Sequence, residues 1–143
     1  MPHVRAQIRD AVVTAVTGLG ATVKPTRKFP TNAAELPRIH VYTNRERVDE
    51  DMSSLTTQTR ILELSVETVA TGAEATLDDT IDAFCVSLET ALVGNKLSGL
   101  ALDTQLTVTE IDVDSTGKEP IAAARLTFDV TYRTIRAAPE TAI

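Results

Sequence analysis

The sequence is poor in aromatic side chains, with no Trp, three Phe and two Tyr among 143 residues. Recognition of single-stranded nucleic acid needs aromatic platforms for base stacking, and ligand pockets draw on the same side chains, so both functions are disfavoured. The single cysteine, Cys85, excludes an internal disulfide and any zinc site built from several cysteines. No apolar run nears the roughly 20 residues of a membrane-spanning helix. The opening Met1-Pro2-His3-Val4-Arg5 lacks the unbroken apolar stretch of a signal peptide, so a soluble chain made in the cytosol is expected. Basic charge is also in short supply. Fourteen Lys and Arg against 20 Asp and Glu leave a net charge of -6, which repels phosphate backbones.

What is present reads as one folded domain, residues 1–143. The hydrophobic fraction of 43% and charged fraction of 24% are ordinary for a globular chain, and this length holds a core without staples. Charge is unevenly spread. Residues 1–60 carry nine Lys/Arg and six Asp/Glu, whereas residues 61–143 carry five and fourteen. Two faces of opposite sign would suit head-to-tail association of copies, while interleaving of the halves in space would erase the asymmetry.

Periodicity gives the elements. Val4, Ile8, Ala11, Val12, Ala15 and Leu19 make the apolar face of a helix over about residues 3–18, ended by Gly18 and Gly20. Pro25, Pro30 and Pro37 predict an extended surface connection over residues 20–37, with room for a short strand at Ala21-Thr22-Val23. Strands are expected at residues 38–43 and from about 59 to 70, where Leu62, Leu64 and Val66 oppose Glu63, Ser65 and Glu67. A second helix over residues 77–93 has Thr76 as its N-cap and a stripe of Leu77, Ile81, Phe84, Cys85, Leu88 and Leu92. A third strand spans about residues 105–114, and its change of parity predicts a bulge near Thr109-Glu110. After a turn at Ser115-Thr116-Gly117-Lys118, the strand over residues 122–135 turns Leu126, Phe128, Val130 and Tyr132 inward; residues 137–143 read as a loose tail. The order α-β-β-α-β-β predicts an α+β two-layer sandwich. Two amphipathic helices would cover one face of a mostly antiparallel four-stranded sheet.

Enzyme and cofactor motifs fail one by one. Gly18-Leu19-Gly20 lacks the third glycine of a dinucleotide fingerprint and follows a helix instead of a strand. Asp112-Val113-Asp114-Ser115-Thr116-Gly117 opens like a calcium loop, but its twelfth position is Ala123 where a bidentate Glu belongs. His3 and His40 have no partner ligand at metal spacing. Cys85 lies in an apolar stripe, as a buried small hydrophobe does. Glu63 and Glu67 share one strand face and could do acid–base work only in a pocket that separates their pKa values. No catalytic, cofactor-binding or metal residue is expected. The surplus lies in residues 44–58, a charged hairpin loop longer than a turn requires. Arg45, Glu46, Arg47, Asp49, Glu50 and Asp51, with Lys118 and Glu119, form a candidate assembly interface in which the loop is mobile and fully solvated until partners dock.

The chain resembles the tail terminator proteins of long-tailed bacteriophages (lambda minor tail protein U-like). The likeness rests on the opening helix, on Pro30-Thr31-Asn32-Ala33-Ala34-Glu35-Leu36-Pro37-Arg38-Ile39-His40-Val41-Tyr42 and the charged loop after it. It continues through Arg60-Ile61-Leu62-Glu63-Leu64-Ser65-Val66-Glu67, the second helix and the closing strands. It is one of element order, length and texture, with no short signature. The resemblance implies a non-enzymatic virion protein that forms a ring, a hexamer in that family, at the head-proximal end of the tail tube. The ring stops tube polymerisation and presents the head-joining surface. The implied partners are copies of itself, the tail tube protein and the head connector or stopper protein, with DNA only passing through the lumen and no membrane or small-molecule substrate. The implied location is the virion, and the host cytoplasm during assembly. Another neck, tail-completion or tube component, a departing assembly chaperone, and a small ligand-binding or enzymatic domain using the Glu63/Glu67 face are the alternatives.

Overall fold

The structure, a computed structural model, describes residues 1–27, 36–114 and 119–143. In chain order the elements are α1 (Val4–Val16), β1 (Thr22–Lys24), β2 (Arg38–Asp49), β3 (Thr57–Thr71), α2 (Glu74–Leu92), β4 (Asp103–Asp114), β5 (Ile121–Ile135) and β6 (Ala138–Ala142).

Alternating sequence builds the centre. β3 and β5 pair antiparallel without interruption from Thr57 opposite Ile135 to Thr71 opposite Ile121. Leu62, Leu64 and Val66 of β3 and Leu126, Phe128, Val130 and Tyr132 of β5 share one face and are fully buried. Each such side chain contributes about 1.5–3 kcal/mol by leaving water. β2 adds antiparallel to the free side of β3, and β1 adds parallel to β2. β4 adds antiparallel to β5, giving the order β1-β2-β3-β5-β4. β3 occupies one whole side of β5, and β4 takes the other side only from Thr131 to Ile121. β6, which pairs with Thr134 and Ile135, therefore lies end to end with β4 along the same edge.

Both helices cover the Leu62/Phe128 face. α1 buries Val4, Ile8, Val12 and Val16 at a spacing of four, and α2 buries Leu77, Ile81, Cys85, Leu88 and Leu92. α1 packs on β2 and touches β1 and β6, while α2 packs on β3, β5 and β4. His3 caps α1, its Nδ1 accepting the Arg5 backbone N–H at 3.0 Å. Gly18 and Gly20 follow the helix at φ 92° and 94°, a conformation open to glycine.

Several expectations are corrected. The sheet has six strands and is mixed, and the element order is α-β-β-β-α-β-β-β, so the four-stranded sandwich of order α-β-β-α-β-β is not the fold. The two additions are strands that complete ladders begun by longer neighbours. β1 extends the β2 edge, and β6, in place of a loose tail, uses the stretch of β5 that β4 leaves free. The β4 bulge falls at Thr107, between the Leu106–Phe128 and Val108–Thr127 pairs. α2 starts at Glu74 behind Ala73, so Thr76 lies inside the helix and its hydroxyl donates to Ala73 O at 3.4 Å. The turn at Ser115-Thr116-Gly117-Lys118 and the segment from Pro30 to Glu35 lie outside the described residues.

Deleting residues 137–143 is expected to lower unfolding stability by about 2 kcal/mol, a few backbone hydrogen bonds at roughly 1 kcal/mol each. Urea unfolding of the truncated chain measures this; a loose tail would leave the midpoint unchanged.

Candidate functional site

The charged hairpin sorts into an internal and an external set, and one bulge does the sorting. Before it, Ile39 and Val41 of β2 face the helices, opposite Thr68 and Val66. The register then shifts between Thr43 and Arg45, so that Glu46 pairs with Leu62 and turns to the helix face. There its carboxylate accepts from Arg5 Nη1 at 3.1 Å and Arg60 Nη1 at 3.0 Å, and from the Tyr132 hydroxyl. The Glu46 side chain is only 8% exposed. Burial, then the hydrogen bond to Glu46, holds the Tyr132 phenol well above its ordinary pKa. Glu46 therefore ties α1, β2, β3 and β5 together and is not the solvated interface residue expected of it.

The other expected interface residues lie elsewhere. Arg45 is exposed and its Nε donates to Glu63 at 2.8 Å. Arg47, Glu50 and Asp51 are exposed, and Asp49 is half-buried, its carboxylate accepting the Asp51 backbone N–H at 3.1 Å. Glu119 is exposed beside Thr71, whose hydroxyl donates to it at 3.4 Å; Lys118 lies outside the described residues. Residues 44–49 and 57–58 of the expected loop are strand, and the tip between them is tied by hydroxyls. Ser53 Oγ donates to Asp49 O at 2.6 Å, and Thr59 Oγ1 donates to Met52 O at 2.7 Å. These bonds hold Met52 and Leu55 in solvent, Leu55 at 86% exposure. Charge density marks the hairpin but gives no weight to these two apolar residues, although a turn has no use for them.

The sheet face away from the helices carries a line of polar contacts. The Tyr42 hydroxyl donates to Glu67 Oε2 at 3.2 Å, Asn44 Nδ2 donates to Ser65 Oγ at 2.7 Å, and Arg125 Nε donates to Glu110 Oε2 at 2.8 Å. Arg27 lies 5.0 Å over the Tyr42 ring. His40, on this same face opposite Glu67, is buried, with Nδ1 3.1 Å from Thr26 O; burial lowers its pKa and favours the neutral ring. Glu67 is buried as well, and burial raises its pKa, with Glu110 adding to the rise and Tyr42 and Arg125 opposing it. A depression of about 660 Å3 beside it is lined by Glu67, Glu110, Ile111, Asp112, Ala123 and Arg125. Glu63 and Glu67 each have a separate partner, so the pair does not converge on a common point. Cys85 is buried in α2, and burial raises its pKa, with Asp82 and Glu89 adding to it, which keeps it a thiol. Among the described residues no three His, Cys, Asp or Glu side chains gather as metal ligands.

Charge segregates between the two sides of the sheet. α2 and β4, neighbours in space, carry nine carboxylates and no basic residue. On the other side, α1, β1 and the turn after it carry Arg5, Arg9, Lys24 and Arg27 against Asp10 alone. The imbalance between the halves of the sequence thus survives folding.

No protein-family model matches the chain, and no curated protein does. Among solved structures, a chain of the native gene transfer agent (GTA) particle virion has the same fold. The TM-score is 0.56 and the identity 19%, with 92% of each chain covered.

Two variants test these contacts. Glu46→Ala leaves Arg5 and Arg60 without their carboxylate and is expected to cost about 3 kcal/mol in denaturant unfolding, the low end for removing one partner of a buried pair. Glu67→Gln keeps an acceptor for Tyr42 and removes a charge that burial disfavours. A carboxyl whose folded pKa is raised contributes stability below its unfolded pKa and loses it as pH rises through the folded value. Glu67→Gln is therefore expected to raise the melting temperature by about 2–4 °C at pH 7, the effect of about 1 kcal/mol in a chain of this size. The gain should vanish below about pH 4, where the parent carboxyl is protonated; melting curves across pH check both ends.

Proposed function

We propose that the chain is a structural protein of a phage-like virion. Within that class, the reading we favour is a tail terminator. Copies close into a ring, a hexamer by the family resemblance, on the head-proximal end of the tail tube. The ring stops tube polymerisation and offers its far side to the head connector or stopper, while DNA passes through the lumen.

The observation that carries this is the fold likeness, over 92% of both chains, to a chain of a gene transfer agent virion. The oppositely charged sides give head-to-tail contacts between copies a favourable electrostatic sense, and a heterologous contact repeated by rotation closes a ring. The exposed Arg47, Glu50 and Asp51, with Met52 and Leu55 at the hairpin tip, suit a contact with a neighbouring shell, apolar anchors inside a charged rim. The chain works as one unit, residues 1–143, without catalysis, in the virion and in the host cytoplasm while particles assemble.

Adding the purified chain to unfinished tail tubes with excess tube subunits tests the reading. Tubes capped by the chain are expected to stop at their starting length, with rings at one end in electron micrographs. Tubes that keep growing overturn the terminator role, and incorporation along the tube wall would make the chain a tube component.

A further inference from the structure

Among the described residues the outer strands have open edges: β1 pairs only with β2 at one end of the sheet order, and β4 only with β5 at the other, where β6 shares the same side of β5. An open edge is a template for another strand, and an edge rich in β-branched side chains is a strong one. The far half of β4 is such an edge. Its register with β5 places Ile111 and Val113 on the helix-facing side, opposite Ala124 and Ala122. Both are about half exposed, at 54% and 50%. Glu110 and Asp112 alternate with them onto the bare side.

β1 reads as the complement. Thr22 and Lys24 pair with Arg38 and His40 and share their bare face, while Val23 pairs with Ile39 and faces the helices. Lys24 is exposed, and neither Lys24 nor Asp112 makes an ion pair among the described residues. Strand directions agree too. Passing from β1 through β2, β3 and β5 to β4, one parallel and three antiparallel steps leave β4 antiparallel to β1. Copies turned about an axis along the strands therefore bring the two edges together antiparallel, where ladder hydrogen bonds run perpendicular to the strands.

We propose that the β1 edge of one copy lies along the far half of β4 of the next. Val23 meets Ile111 and Val113 on the helix side, and Lys24 meets Asp112 and Glu110 on the bare side. The occupant of the β4 edge is a second copy because the acidic α2/β4 side faces the basic α1/β1 side in this arrangement, and each copy carries both. The inference rests on the ring reading for its setting and names the surfaces that close the ring.

Charge reversal with rescue tests it by sedimentation velocity of the purified chain up to about 500 µM. The parent is expected to show concentration-dependent association. Lys24→Glu and Asp112→Lys each place like charges across the contact, which costs several kcal/mol in a desolvated interface, so each should weaken association at least about tenfold. Both positions are exposed, so the parent's melting temperature is expected in each variant and serves as the folding control. In an equal mixture of the two variants, a copy with Lys24→Glu meets a copy with Asp112→Lys, and the next contact joins the unaltered Lys24 and Asp112. Every contact then pairs opposite charges, so the mixture should associate like the parent, which a merely structural effect would not produce. A parent that stays monomeric throughout, association indifferent to both reversals, or a mixture no better than its components overturns the edge pairing. The tube-length assay is read separately, so the terminator role can stand when the edge pairing fails, and the reverse.

Discussion

The unbroken ladder between β3 and β5 is the constraint on which the rest of the structure depends. Fifteen residues of each strand pair in one register, and a slip of a single residue would turn Leu62, Leu64, Phe128 and Tyr132 out of the core. With that register set, one face must be covered and the other need not be. α1 and α2 together span the apolar face, and no further helix is present among the described residues to cover the polar one. The bulges in β2 and β4 bend the outer strands against this central pair. The β2 bulge has the larger consequence, because it carries Glu46 under α1, where Arg5, Arg60 and Tyr132 converge on it.

Much of this was legible in the sequence wherever a side-chain pattern repeats. The alternation from Leu126 to Tyr132 and the three- and four-residue spacings in the helices placed the core correctly, because burial acts on every turn or every second residue alike. What lacked a pattern was harder to read. β6, Ala-Pro-Glu-Thr-Ala, was missed, and β1, foreseen only as room for a short strand at Ala21-Thr22-Val23, has three residues, too few for a period to show. Both are strands because a longer neighbour has unpaired backbone groups to satisfy, which is a property of the assembled sheet. Val108 has the parity of Leu106 in the sequence, yet the bulge at Thr107 puts it on the bare side, where it is 48% exposed. The change of parity showed that β4 has a bulge, but Val108 on the bare side displaced its expected position toward Thr109-Glu110.

The candidate interface was legible in part. Charge density marked the hairpin, and Arg45, Arg47, Glu50 and Asp51 are indeed at the surface. Charge density alone could not tell Glu46 from its neighbours, since its burial follows from a register shift one residue away. Nor could it weigh Leu55, whose exposure depends on the hydroxyl bonds that fix the tip. The imbalance of charge between the halves of the chain was visible, but its fate depended on strand order. Had α2 packed over β2, its five carboxylates would have faced the basic side and the asymmetry would have cancelled.

That separation bears on what kind of molecule this is. Among the described residues, a sheet with one covered face, open outer edges and opposite charge at either side leaves directional surfaces exposed. Among the described residues its charged groups gather in three places: Glu46 with Arg5, Arg60 and Tyr132, Glu63 with Arg45, and Glu67 with Tyr42 beside Glu110 with Arg125. The first two hold strands in register, and the third borders the depression on the bare face. With the edge pairing proposed above, every copy would present the same complementary edges to the next at a fixed angle. Such an angle, repeated, determines whether an assembly closes or runs on.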